Sequence, residues 1–145
     1  MILKDEKATL ALGRKLAPLL QAGDVVTLAG ALSAGKTTLV RGLLGALGHK
    51  GEVPSPSFAI VQPYEALNPP VWHVDLYRIE NPSELDELGL DDIRGDGVLI
   101  VEWPERAGTQ AWPEALALSL AVDEDGVRAL TAELPASWEG RWPPR

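Results

Sequence analysis

The stretch GALSAGKTTLV, residues 30 to 40, constrains this chain more than any other. It follows the apolar run Asp24-Val25-Val26-Thr27-Leu28-Ala29, which reads as a buried strand. It precedes residues 36 to 47, which read as a helix ending at Gly48. Gly30, Gly35, Lys36 and Thr37 fit G-x-x-x-x-G-K-S/T in the strand-to-helix setting that a phosphate-binding loop requires. Glycines let the backbone turn tightly, so that N–H groups of a loop including Ser33 and Ala34 converge on an anion. The start of the following helix adds the positive end of its dipole. The motif assigns the β- and γ-phosphates of a nucleotide to Lys36, Mg²⁺ to Thr37 and the neighbourhood of the α-phosphate to Thr38.

A nucleotide site also needs an acid near its metal. Val98-Leu99-Ile100-Val101-Glu102 is four apolar residues followed by a carboxylate, and Val71-Trp72-His73-Val74-Asp75 delivers a second acid in the same manner. Ligands of open α/β sheets sit at the carboxyl ends of strands, which would bring both acids to the phosphates. Either could hold Mg²⁺, directly or through water, or orient the attacking water; spacing does not divide the roles. Pro54-Ser55-Pro56-Ser57-Phe58 carries two hydroxyls on a proline-stiffened loop, suited to sensing a γ-phosphate or to a plain turn into the next strand. His73 alternates within its strand and reads as a packed or hydrogen-bonded histidine rather than a base. Trp103 could stack near a nucleotide or a partner, or lie in the core.

The rest of the chain supports an α/β fold. Residues 5 to 20 place Ala8, Leu12, Leu16 and Leu19 on one helical face, with Pro18 loosening the last turn and Gly23 as a stop. Phe58 to Val61 and Val71 to Tyr77 are short strand candidates, and Val98 to Val101 is a buried strand. Asn81-Pro82-Ser83-Glu84 has the cap, first-turn proline and acid of a helix start, and Gly89 ends that helix. Residues 115 to 122 and 127 to 134 flank Asp123-Glu124-Asp125-Gly126, a hairpin turn. Helices interleaved with apolar strands, then a hairpin, predict a P-loop fold: a mixed, mostly parallel sheet flanked by helices, with a C-terminal antiparallel hairpin. One domain over residues 1 to 134 and an irregular tail over 135 to 145 are expected.

Composition excludes several function classes. With no cysteine, disulfides and thiolate metal sites are out. No apolar stretch approaches the ~18 residues that would span a bilayer, and MILKDEKATL carries charges where a signal peptide needs an apolar core. A cytoplasmic protein without a membrane partner is expected. The formal net charge is −8 and no basic stripe offers itself to a nucleic-acid backbone. Acids cluster instead: Glu80, Glu84, Asp86, Glu87, Asp91, Asp92 and Asp96 form either a solvated face or a docking face for a basic protein. A GTPase would read guanine with N-K-x-D, but the only asparagines, Asn68 and Asn81, are each followed by proline. A small-molecule kinase would need an acceptor pocket and lid, and no lid insertion is evident; a non-hydrolysing ATP-binding adaptor is the other alternative.

The order GALSAGKTTLVRGLLGALG, PSPSF, HVDLYR, ELDELGLDDI and VLIVEWPE, spread over about residues 5 to 134, resembles the TsaE (YjeE) family of small bacterial P-loop ATPases. The resemblance implies ATP with Mg²⁺ and a role in making threonylcarbamoyladenosine beside the tRNA anticodon. It also implies partnership with the TsaD–TsaB assembly, which carries out the transfer and engages the tRNA, so that this chain meets tRNA only indirectly. Carried over by residue, Lys36 and Thr37 match phosphate and Mg²⁺ ligands. Glu102 matches the metal-binding acid of VEW, and Asp75 the acid of H-x-D-x-Y-R implicated in hydrolysis. Adenine is expected between Glu6 to Thr9 and the hairpin near Arg128. Three departures stand out: Ala31 where an acid is usual, Ser33 where glycine is usual, and Ser57 for the threonine of S-P-T-F. Phosphate binding is expected to survive all three, and their bearing is on hydrolysis and switching.

Overall fold

The computed structural model describes residues 1–31, 34–54, 61–90, 92, 95–108 and 111–144. Its spine is one seven-stranded sheet: β1 (Ile2–Leu3), β2 (Val25–Gly30), β3 (Val61–Tyr64), β4 (Val71–Asp75), β5 (Val98–Glu102), β6 (Leu116–Val122) and β7 (Arg128–Glu133). The spatial order is β1-β7-β6-β2-β5-β4-β3. β2 runs parallel to both its neighbours, β5 and β6, and β4 runs parallel to β5. β7 and β3 are reversed, and β1, antiparallel to β7, points the common way again. The sheet is therefore mixed and mostly parallel, as the sequence leads one to expect.

Alternation along the buried strands splits the core in two. Val26, Leu28, Val98 and Ile100 face a cluster built with α1 (Glu6–Leu16) and α2 (Lys36–Ala46). Val25, Val74, Leu99 and Val101 face the opposite cluster, covered by Leu85, Leu88 and Ala107. The cover on that side is 3-10 helix, at Pro82–Leu88 and Pro104–Ala107, rather than α-helix. Residues 82 to 88 are pinned at the start by a capping box between Asn81 and Glu84 and at the end by left-handed Gly89. Seven residues so confined wind in i→i+3 turns, where the sequence pattern had suggested a regular helix.

Local departures have local causes. Asp5 accepts the Ala8 amide at 2.8 Å and starts α1, while Pro18 converts its expected last turn into the 3-10 turn Ala17–Leu19. β4 stops at Asp75 rather than Tyr77 because the Asp75 carboxylate takes the Tyr77 amide at 2.8 Å, folding the chain out of the ladder. The strand expected to begin at Phe58 is seen over Val61–Tyr64; positions 58 to 60 lie outside the described residues. The hairpin turn forms as expected, with Asp123 accepting the amides of Asp125 and Val127. In place of an irregular tail, residues 136 to 138 form a 3-10 turn that puts Trp138 into the helix-side core, and Arg141 returns to Asp24 at 2.8 Å. Among the described residues no helix is long and apolar enough to cross a membrane.

α1 and α2 cross backbone to backbone at Gly13 and Gly42. A methyl at Gly42 would collide with the Leu10 carbonyl, and one at Gly13 with the Leu39 carbonyl. Gly42→Ala is expected to destabilise the fold by about 1–3 kcal/mol through overpacking, despite alanine's better helix propensity. Urea denaturation checks this; an unchanged or raised midpoint would refute the close crossing.

Candidate functional site

Parallel pairing decides where the chemistry collects. Leu28 lies opposite Glu102, and Glu102 opposite Asp75, so the P-loop strand and both acids end at one edge of the sheet. Residues in register share a face, and here it is the helix side, under the first turn of α2. The carboxyl ends of β2, β5 and β4 thus meet at the sheet edge where open α/β sheets bind ligands.

The loop enters through Gly30 and leaves through Gly35, whose φ of 102° is left-handed backbone that glycine adopts without strain. Gly35 is the N-cap of α2 and brings no side-chain cap, so the first-turn amides of Lys36, Thr37 and Thr38 are left for an anion. A Cβ at Gly35 would lie 2.7 Å from the Arg128 Nε, which shows how tightly β7 closes over the loop. Arg128 donates to the Ala34 carbonyl at 3.2 Å, and Ala34 itself is fully buried. Ser33 and Ser57, both expected to touch phosphate, lie outside the described residues.

Lys36 is buried, and its Nζ donates to the Gly30 carbonyl at 2.6 Å, closing the loop on itself. The ammonium also sits 3.8 Å from the centre of the Trp103 ring, a cation–π contact. Burial lowers its pKa from the ordinary lysine value, opposed by the charges of Glu102, Asp75 and Glu105. Trp103 reaches this position through left-handed backbone (φ 60°), rare for an aromatic residue, and packs against Tyr77 at 4.9 Å between ring centres.

Thr37 Oγ1 donates to Glu102, 3.2 Å from Oε2 and 3.4 Å from Oε1. Glu102 and Asp75 are each 3% exposed. Burial raises the Asp75 pKa above the ordinary aspartate value; the Tyr77 amide lowers it and nearby Glu102 raises it. His73 is fully buried with Nε2 2.6 Å from Glu102 Oε2. Its pairing with the acid two residues and one strand away was visible only as a period-two pattern, since His73 and Asp75 share a face.

The donor set fits a polyphosphate with a hard divalent cation. Uncapped amides, a cationic amine, a hydroxyl and a carboxylate converge at one helix N-terminus, and glycine leaves room where a side chain would intrude. Among the described residues no three His, Asp or Glu side chains could cage a metal unaided. A cation held by Thr37 and Glu102 would take its other ligands from phosphate and water. At the region expected for adenine, β1 lies beside β7 with Leu3 opposite Arg128. Thr9 there is buried and bonded to the Asp5 carbonyl, and Glu6 pairs with Arg41 at 3.6 Å.

Comparison with known proteins gives one consistent answer. Residues 3–130 match the model of the family described as threonylcarbamoyl adenosine biosynthesis protein TsaE. The tRNA threonylcarbamoyladenosine biosynthesis protein TsaE of Streptomyces coelicolor is 50% identical over 97 residues, 65% of this chain and 66% of that protein. The protein of that name from Haemophilus influenzae is 39% identical over 117 residues, 77% of this chain and 73% of its own. The crystal structure of Bacillus subtilis YdiB superposes with a TM-score of 0.82 at 30% identity, covering 97% of this chain and 88% of that one.

Proposed function

This chain belongs to the TsaE family of threonylcarbamoyl adenosine biosynthesis proteins, and we propose that it is the ATP-binding and ATP-hydrolysing component of that pathway. The observation that carries the reading is the meeting of Lys36, Thr37, Glu102 and Asp75 at one sheet edge, under an uncapped helix start. On this reading Lys36 leaves the Gly30 carbonyl for the β- and γ-phosphates, and the amides of α2 hold the phosphate oxygens. Gly30, Ser33, Ala34, Gly35, Thr38 and Ser57 complete the phosphate site. Thr37 and Glu102 hold Mg²⁺, which supplies Lewis acidity toward the phosphoryl oxygens. Asp75, poorly solvated and close to Glu102, accepts a proton from or orients the attacking water.

Hydrolysis serves a partner in this proposal, a TsaD–TsaB-type assembly that handles the tRNA. The isolated chain, at −8, repels a nucleic-acid backbone at long range, and Lys36 is committed to nucleotide. Glu80, Glu84, Asp86, Glu87, Asp92 and Asp96 are all exposed, with Asp91 outside the described residues. Reversing Glu84 and Glu87 is expected to weaken association with that assembly if this face docks. Specific tRNA binding by the chain alone in a gel shift at physiological salt would contradict the indirect role.

Calorimetric titration with ATP and Mg²⁺ tests the site. Lys36→Ala removes the amine nearest the loop and is expected to weaken binding by about 10-fold or more, since a charge-assisted contact contributes ~1.5–3 kcal/mol. Equal affinity in wild type and variant would refute the assignment, as would a preference for GTP over ATP.

A further inference from the structure

A glutamate that must present an oxygen to a cation has three rotatable bonds, so something must hold it. In this site the holder is a residue that the nucleotide reading leaves unused. β4 and β5 are parallel, with Asp75 opposite Glu102 and His73 opposite Ile100. His73 therefore lies one pleat back on the face that carries both acids. Its Nε2 is 2.6 Å from Glu102 Oε2, and the two side chains are 0% and 3% exposed. The other ring nitrogen, Nδ1, is buried without a hydrogen-bond partner among the described residues.

That asymmetry selects the tautomer. A proton on Nδ1 would be an unmet donor in the core, whereas a proton on Nε2 meets a carboxylate oxygen. An orphaned Nδ1 is itself unfavourable, and phenylalanine would fill the space without it. The imidazole is thus poorly explained as filler and well explained as a donor aimed at Glu102. With Oε2 held by the ring, Oε1 keeps lone pairs for a further ligand beside Thr37. Donors of this kind orient metal-binding side chains from behind, and removing them typically lowers metal affinity 10–100-fold.

We propose that His73 is a positioning residue whose Nε2–H locks the Glu102 carboxylate beside Thr37, organising that pair for the Mg²⁺ of a bound nucleotide. The proposal rests on the nucleotide reading of the site. The experiment compares wild type with His73→Gln, whose amide reaches the place of Nε2, and with His73→Phe and His73→Asn, which offer no donor there. Binding of a non-hydrolysable ATP analogue is titrated with Mg²⁺, and thermal unfolding verifies that each variant folds. The Mg²⁺ midpoint is expected to rise about 10-fold or more in Phe and Asn and to stay near wild type in Gln, with Mg²⁺-free nucleotide affinity unchanged throughout. A wild-type midpoint in a folded Phe or Asn variant overturns the proposal, as does a folded Gln variant as impaired as Phe.

A long-range ¹H–¹⁵N spectrum of the nucleotide-free protein gives an independent readout. His73 is expected as the Nε2–H tautomer, with its signal displaced in Glu102→Ala; an Nδ1–H pattern overturns the proposal. A wild type that bound no nucleotide at any Mg²⁺ concentration would defeat the site reading instead, and the tautomer spectrum would then decide the His73–Glu102 bond by itself.

Discussion

ATP turnover is expected to fall by about 100-fold or more in Glu102→Ala, with the remaining activity needing far more Mg²⁺. A metal ligand stabilises developing charge by several kcal/mol, and each ~1.4 kcal/mol is a factor of ten in rate. Asp75→Ala is expected to lose a comparable share of turnover with little change in the Mg²⁺ requirement, because the role proposed for it is toward water. Steady-state hydrolysis across a Mg²⁺ titration separates the two. The reverse pattern would exchange the roles, and full activity in both variants would remove the acids from the site.

Asp75 carries a second consequence, for stability. Burial raises its pKa, so the folded chain holds that proton more tightly than the unfolded chain does. The stability tied to this group is therefore greatest below the unfolded aspartate pKa. It falls as pH rises through the window between the unfolded and folded values, and above that window the carboxylate is a net burden. Asp75→Asn is accordingly expected to raise the melting temperature at neutral pH while abolishing most turnover. The gain should shrink in acid, and a variant less stable than wild type at pH 7 would contradict it.

Trp138→Ala is expected to lower stability by about 3–5 kcal/mol, the range for truncating a buried aromatic. Trp138 is 1% exposed, packs in the helix-side core, and carries the Arg141 guanidinium 3.8 Å from its ring centre. Arg141 in turn donates to the Leu19 carbonyl and to both Asp24 oxygens, tying residues 136 to 141 to the segment that leads into β2. Urea denaturation measures the loss. A change within about 0.5 kcal/mol, as for a surface site, would mean that these residues lie loosely on the domain.

What the chain announces locally was legible without a fold. The strand–glycine–lysine–helix run at 25 to 46, the Asn81 cap, the Asp123 turn and the apolar runs before Asp75 and Glu102 each depend on neighbours a few residues away. Backbone dihedrals and side-chain period act over that distance, and so the elements could be read in order. The limits of those readings were local competitions too. Asp75 bends β4 away from its ladder two residues early, and confinement between Asn81 and Gly89 tightens an expected helix into 3-10 turns.

Several of the contacts that make the site join residues 29 to 94 positions apart, and no local propensity encodes them. His73 finds Glu102 because β4 and β5 pair in one register; slipping either strand by one residue would turn the two side chains to opposite faces. Arg128 covers the loop at Ala34 because the hairpin folds β7 back beside β6, next to the P-loop strand. Trp103 meets Lys36 only through the left-handed step that follows β5. Trp138, at the far end of a stretch with no periodic pattern, is core because a turn of three residues delivers it there. Motif spacing specifies which groups the chemistry has available; strand register and chain return specify which of them touch.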